Sequence, residues 1–391
     1  MIKTSDIVVG ANAGRARSHN RQVILDRIRT AGRIGRADIA RSTGLSTQAV
    51  SNIIADLLSD RMIAEQGRQV VGRGLPAVQY ALNAKGGFAL GVEIRPDAVF
   101  SALLNLCGDK VASERMSLRA NDRNAVTEAV RTLRDTLLKA SKTPKNRLLG
   151  AGIVMPGPFG ETGIRDGETE LPIWADVAPD RWLSKALELP VVIENDANAA
   201  AIAERIVGTA SGLKTYAYIY FGNGIGLGAV HGARLIAGAY GNAGEIGHIP
   251  VPAAGKSMPL ESMVSRMSLI RALGKEGIAA ESVDDLDRLY AAKTQVLMAW
   301  LENAQKPLEA AISIVENLFD PEAVILGGAM PDSILDHLIR SLTLPDKSVS
   351  NREDRTGPRL LRGTSGRMTA TLGAAALVIN QTFTPKIAAQ A

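Results

Sequence analysis

The chain has 391 residues, 46% hydrophobic and 22% charged. That balance excludes a wholly disordered chain, and no apolar run approaches the roughly 20 residues of a membrane helix. The one cysteine, Cys107, excludes an internal disulfide and a cysteine-rich zinc site. No apolar signal-type segment opens the chain, so the expected setting is the cytoplasm, with no membrane partner.

The net charge of +5 is unevenly placed. Residues 1–80 hold 11 Arg, Lys3 and 6 acidic residues, and the rest of the chain is close to neutral. Such a basic N-terminal fifth is the footprint of a nucleic-acid-binding module. A solvated basic face without a partner has the same composition. The spacing predicts helices over 19–31, 36–43 and 47–59, with Gly44 as a turn and Ser46 as an N-cap. Val50, Ile53, Ile54, Leu57 and Leu58 line one face of the third; Thr47, Gln48, Ser51 and Asn52 sit on the outer face near its start. This is a helix-turn-helix pattern, whose second helix reads base edges in the major groove. Glutamine and asparagine suit adenine there. Residues 62–82 read as two strands around Gly72-Arg73-Gly74, a tip that suits a narrow minor groove. The expectation is a winged helix-turn-helix DNA-binding domain over residues 1–82.

Beyond Lys85-Gly86-Gly87 strands alternate with helices. Strands are expected at 88–94, 98–106, 110–118, 148–155, 191–193 (buried), 216–221, 226–230 and 323–326. Helices are expected at 124–140, 182–187, 197–207 and, as long ones, within 291–318, with a frayed tail after Gln381. The succession implies an α/β body.

Four constellations carry potential chemistry. Glu194-Asn195-Asp196-Ala197-Asn198 stands at a strand end opening into a helix, where α/β folds bind ligands. Its amide and carboxylate suit a polyol, Asp196 suits a general base, and an aspartate N-cap would look the same. Gly222-Asn223-Gly224-Ile225-Gly226-Leu227-Gly228 either lets backbone N–H groups approach a phosphate or forms a hairpin. In Gly241–His248 and onward, Glu245, His248 and Glu261 can converge on hydroxyls, or can lie in a surface loop. Ala323-Val324-Ile325-Leu326-Gly327-Gly328-Ala329 is a strand running into a Gly-Gly turn, which suits close approach to a flat or phosphorylated ligand or is a turn alone.

In this order, from about Asn20 to Asn380, the motifs resemble the ROK family (repressors, open reading frames and kinases), and within it the transcriptional regulators. The most specific match is Glu194–Asn198 followed by Gly244-Glu245-Ile246-Gly247-His248. Gly152–Pro158, Leu171-Pro172-Ile173-Trp174, Gly373-Ala374-Ala375-Ala376 and Gly72-Arg73-Gly74-Leu75-Pro76 also match. The resemblance implies a winged helix-turn-helix on a two-lobed, sugar-kinase-like body (actin/hexokinase type, ribonuclease H-like) over residues 86–385. It implies a sugar between the lobes, held by Asn195, Asp196, Glu245, His248 and Glu261, with Asp196 at the position of the kinases' base.

Two departures stand out. Kinases of the family open the body with Asp-x-Gly-Gly-Thr; here Glu93-Ile94-Arg95-Pro96-Asp97 stands there. Arg95 and Pro96 replace the glycines that make room for ATP phosphates, and proline removes a donor. Many members carry three cysteines after the His248 position; here 249–261 has none, so no zinc site is expected. Glu170 also replaces a usual asparagine before the Leu-Pro. The expectation is therefore a sugar-responsive repressor, not an enzyme and without a cofactor. It would bind double-stranded operator DNA as a homodimer or homotetramer, with a small sugar as effector. The alternative is an active ATP-dependent sugar kinase with an attached DNA-binding domain.

Overall fold

The computed structural model describes residues 13–69, 76–95, 98–118, 120, 122–155, 157, 172–174, 177–253, 256–280, 282–363 and 368–384. The first unit runs α1 (Ala13–Ala31), β1 (Ile34–Gly35), α2 (Arg36–Thr43), α3 (Thr47–Ser59), β2 (Ile63–Gln69) and β3 (Ala77–Leu82). Gly44 ends α2 at φ 71°, a left-handed conformation that glycine adopts without strain. Ser46 caps α3 by accepting from the Ala49 N–H at 3.2 Å. Ile24, Ile28, Ile39, Val50, Ile54 and Leu57 are fully buried where the three helices meet. The strands pair antiparallel in the order β1-β3-β2, and the β2–β3 ladder from Ile63↔Leu82 to Gln69↔Ala77 is the stem of a wing. The unit is a winged helix-turn-helix. Its first helix starts six residues before the expected 19, because Arg17 pairs with Asp56 of α3 and holds a turn that has no apolar period.

The body contains two sheets of the same topology. In the first, β4 (Phe88–Ile94), β5 (Ala98–Asn105), β6 (Lys110–Ser117), β7 (Leu148–Val154) and β8 (Val191–Glu194) lie in the order β6-β5-β4-β7-β8. Helices α4 (Arg123–Ser141) and α5 (Pro179–Leu187) cover it. Next come α6 (Asp196–Val207), β9 (Tyr216–Phe221), β10 (Ile225–His231), β11 (Arg234–Leu235), β12 (Pro250–Ala253) and β13 (Lys256–Pro259). Then follow α7 (Glu261–Val264), α8 (Arg266–Lys275), α9 (Val283–Ala291), α10 (Gln295–Phe319), β14 (Ala323–Gly328), α11 (Asp332–Ser341), β15 (Leu360–Arg362) and α12 (Thr369–Phe383). The second sheet has the order β11-β10-β9-β14-β15. In each sheet the first three strands form an antiparallel meander and the last two join in parallel. This is the two-lobed α/β body of the expectation.

Several elements differ from the sequence reading. The long helices expected within 291–318 are one helix, α10, with Pro307 inside it, and Lys293 takes a φ of 52° in the turn that separates it from α9. Strand β8 is half-buried rather than buried, because it is the sheet's edge. Helix α12 continues through a fully buried Phe383, beyond the expected fraying point; 385–391 lie outside the described residues. Helices α7, α8, α9, α11 and α12 were not expected. Helix α12 is apolar on every side, which leaves no period to read.

The centre is packed backbone against backbone. A Cβ at Gly91 would stand 2.1 Å from the Thr371 carbonyl, one at Gly152 1.8 Å from that of Ala374, and one at Gly373 2.3 Å from that of Ala199. Helix α12 thus touches β4, β7 and α6 with no side chain between. Gly152→Ala is expected to cost several kcal/mol through this overpacking or to prevent folding. Gly274→Ala, in an exposed last turn with nothing within 4 Å, is expected to gain about 0.5 kcal/mol. Urea unfolding midpoints check both.

Candidate functional site

On α3, Thr47, Gln48 and Asn52 are exposed and Ser51 is half-buried. The Gln48 Nε2 donates to the Asn52 Oδ1 at 3.0 Å, so the two amides one turn apart hold each other in place. Each keeps one further polar group outside that bond, so the pair presents an ordered donor and acceptor. Arg33, Arg36, Arg41 and Arg61 are exposed on the same module. Arg73 lies outside the described residues, as do Pro96, Glu170 and Leu171.

The sugar-site residues come together. Asn195, Asp196, Glu245, His248 and Glu261 all line one cleft of about 760 Å³, with Glu93, Arg95, Tyr220, Asn223 and Arg266. Each is placed by local structure. Asn195 is the N-cap of α6, its Oδ1 accepting from the Asn198 N–H at 2.8 Å, so the asparagine and not the aspartate caps. The Glu194 Oε1 accepts from the Asn195 N–H and the Asn198 Nδ2, which fixes the strand-to-helix corner. Asp196 follows as the first helical residue, its Oδ1 accepting from the Ala197 N–H at 2.9 Å. Glu245 caps and His248 ends a short 3₁₀ turn whose Ile246 and Gly247 are buried, so this stretch is no loose surface loop. The His248 Nε2 lies 3.9 Å from the Glu245 Oε2. The stretch expected to lack a zinc site folds as the β12–β13 hairpin and delivers Glu261 to the cleft.

The glycine-rich loop divides its work. Gly226 and Gly228 let β10 lie against Ala197 of α6, since a Cβ would come within 2.9 and 2.6 Å of it. Gly222 and Gly224 instead leave room beside carboxylates: a Cβ would stand 3.1 Å from the Asp196 Oδ2 or 2.7 Å from the Glu261 Oε2.

The cleft is rich in carboxylates. Burial, then the neighbouring Glu93, push Asp196 up to about 7, with Glu245 adding to the rise and the Ala197 N–H opposing it. Burial also raises Glu245, while His248 opposes. Two groups here were missed by sequence reasoning. Glu93 accepts from the Arg95 Nε at 2.7 Å and from the Thr371 Oγ1 at 2.8 Å. Its signal was present: a lone charge in a strand otherwise wholly apolar and buried. Arg266, at the start of α8, had none. Arg95 was noted only as an obstruction; its guanidinium bends back onto Glu93 and stacks 4.6 Å from the centroid of Phe100.

Residues 89–381 match the ROK family. The chain belongs to the ROK family. It is 28% identical over 331 residues to the xylose repressor of Caldicellulosiruptor bescii, covering 79% of this chain and 82% of that one. A ROK family transcriptional regulator, a homologue of the E. coli Mlc protein, superposes with a TM-score of 0.74 at 24% identity, over 94% of this chain and 97% of that one. The ROK hexokinase of Thermus thermophilus superposes with a TM-score of 0.56 at 25% identity, over 74% of this chain and 97% of that one. The chain is thus a ROK regulator akin to the xylose repressors. Among the described residues no helix is long and apolar enough to cross a membrane.

The ROK cleft predicts a pH signature. Asp196 titrates in the fold near 7, above the roughly 3.9 of an unfolded aspartate. The folded state therefore holds its proton longer, and the group's contribution to stability falls as pH rises from about 4 to 7. Asp196→Asn removes that penalty. Its gain in thermal midpoint over the wild type is expected to be larger at pH 8 than at pH 5.

Proposed function

We propose that this protein is a sugar-responsive DNA-binding transcriptional regulator, a repressor of carbohydrate uptake or catabolism genes. The observation that carries the reading is the joining, in one chain, of a helix bearing the Gln48–Asn52 amide pair to a cleft lined by five side chains of a kind suited to hydroxyls. Residues 1–82 are the DNA-binding domain and 86–385 the sugar-binding body. Thr47, Gln48, Ser51 and Asn52 read bases, Arg73 enters the minor groove, and other arginines meet phosphates, so binding is steeply salt-dependent. A homodimer would place two recognition helices about one helical turn apart on a near-palindromic operator. In the cleft Asn195, Asp196, Glu245, His248 and Glu261 hold the hydroxyls of a free sugar, and no metal or cofactor takes part. The name of the relative from Caldicellulosiruptor bescii makes D-xylose the first candidate. The protein would act in the cytoplasm. The sugar changes DNA affinity only through its different affinity for two arrangements of the protein.

A kinase reading has one observation in its favour, Asp196 poised near neutral pH beside Gly222, as a general base should be. Arg95 weighs against it. Its charge is spent on Glu93 and its side chain lines the cleft where the kinases keep glycine.

The test is titration of DNA from upstream of the gene and its neighbours, at fixed salt, with and without a panel of free sugars. Binding that one sugar releases or strengthens supports the reading; no sugar-dependent binding overturns it. Glu245→Ala is expected to abolish sugar binding measured by calorimetry and leave sugar-free DNA binding intact. Asn52→Ala is expected to weaken specific DNA binding by about 1–3 kcal/mol and spare the sugar. A hydroxyl donates more strongly to the ionised Asp196 carboxylate than to the protonated one, so sugar affinity is expected to rise from pH 6 to pH 8. With D-xylose, D-glucose and Mg-ATP, a coupled assay is expected to show no turnover.

A further inference from the structure

Helix α6 has its two ends in different places. Its first residues, Asn195 and Asp196, line the cleft. Nine residues on, about 14 Å along the axis, Arg205 reaches the DNA-binding module. Its side chain is only 8% exposed. One guanidinium nitrogen donates to the Asn380 Oδ1 of α12. The other stands 3.8 Å from the Asp26 Oδ1 of α1. That same oxygen already accepts from Arg29 at 2.9 and 3.2 Å, and Arg29 in turn lies over the ring of the buried Phe383. Helices α1 and α6 thus share one carboxylate oxygen, and α12 holds both of the arginines that reach it.

The materials around this joint are stiff. Gly373 brings the backbones of α6 and α12 into direct contact at Ala199. A continuous buried cluster runs from Ala197–Ala203 of α6 through Phe383 to Ile24, Leu25 and Ile28 of α1. A displacement at the cleft end of α6 therefore reaches Arg205 with little loss. On another side the module packs less closely on the body. A crevice of about 550 Å³, lined by Arg21, Asp60, Met62, Arg147 and Leu149, separates it from the body. Among the described residues, the Arg147 guanidinium donating to the Asp60 carbonyl spans it.

We propose that Arg205 is the positioning residue that couples the cleft to the DNA-reading module. Asp26 has two claimants. In this structure Arg29, on its own helix, holds it and Arg205 stands back at 3.8 Å. A shift of α6 toward α1 closes that gap, takes Asp26 from Arg29 and resets the tilt of α1. Two discrete pairings of one carboxylate make a two-state element that a ligand at the far end of α6 can bias. A buried guanidinium held at such a long ion-pair distance is poorly compensated here, which leaves the second pairing energetically accessible.

The inference rests on the cleft being a sugar site, and the test separates the two. Calorimetry with D-xylose and D-glucose reports on the cleft. Fluorescence anisotropy of a duplex from upstream of the gene reports DNA affinity with and without each sugar. In the wild type, the sugar that binds is expected to change DNA affinity about tenfold. Arg205→Met is expected to keep the sugar Kd and the sugar-free DNA Kd within about twofold while cutting the sugar-induced change to less than twofold. Arg205→Lys is expected to retain most of it. Should Arg205→Met fold poorly, Asp26→Asn, on the half-exposed side of the joint, is expected to give the same loss of response. A full tenfold response in both Arg205→Met and Asp26→Asn overturns the coupling. Sugar binding without any wild-type change in DNA affinity also overturns it, while leaving the cleft as a sugar site. No sugar binding at all overturns the cleft reading and the coupling together.

Discussion

Direct contact between helix α12 and the backbones around it is the constraint on which the rest of the molecule depends. Gly91 and Gly152 sit on the two central strands of the first sheet, and Gly373 faces Ala199 of α6. A side chain at any of them would push α12 outward by the width of a methyl group or more. The helix that separates the two lobes would then no longer fix α6 against the strand ends. Because it does fix it, Asn195 and Asp196 emerge just beyond the carboxyl ends of the parallel strands β7 and β8, where an α/β sheet leaves room for a ligand. The site is therefore a consequence of glycine packing some distance from the polar residues themselves.

The electrostatics of the cleft follow from that placement. Glu93, Asp196, Glu245 and Glu261 are gathered with His248, Arg95 and Arg266. Crowded, half-desolvated carboxylates give up hydration and repel one another, which is why Asp196 and Glu245 both hold their protons longer than usual. Hydroxyl donors offset this cost well, since each replaces a lost water without adding charge. A phosphate does not. It would need cations held ready for it, and Arg95 and Arg266 are the arginines in the cleft's lining. Arg95, locked between Glu93 and Phe100, is turned away from that task.

The reading-head and the order of strands were legible in the chain because each rests on local signals. Gly44, Ser46 and the apolar period of α3 predict the turn, the cap and the helix where they occur. The five cleft residues were legible through motif order, and the structure brings them within one cavity. What was not legible was whatever depends on tertiary contact. Helix α12 is apolar on all sides and shows no period. The duplication of sheet topology leaves no repeat in the sequence, since the two lobes share strand order but not residues. Gly222 through Gly228 read as one loop, yet two of its glycines serve packing and two make room for carboxylates. Only the position of Ala197, Asp196 and Glu261 in space separates them.

The connection between module and body bears on how a signal can travel. The segment after β3 is short and bound to the module: the Asn83 Nδ2 donates to the Arg61 carbonyl at 2.8 Å, and its Oδ1 accepts from the Lys85 N–H. Gly86 lies so close to Arg61 that a Cβ there would be 2.3 Å from its carbonyl oxygen. The module is thus not a bead on a flexible string. It shares a buried cluster with the end of α12, so its tilt is set by the body and changes only when that contact changes. For a protein reading two half-sites, tilt is an effective variable, because recognition helices must keep a spacing of about 34 Å to enter successive major grooves. In the proposed dimer a change of a few degrees at the root of α1 would be felt as a misfit at the DNA, without any residue of the reading face having changed.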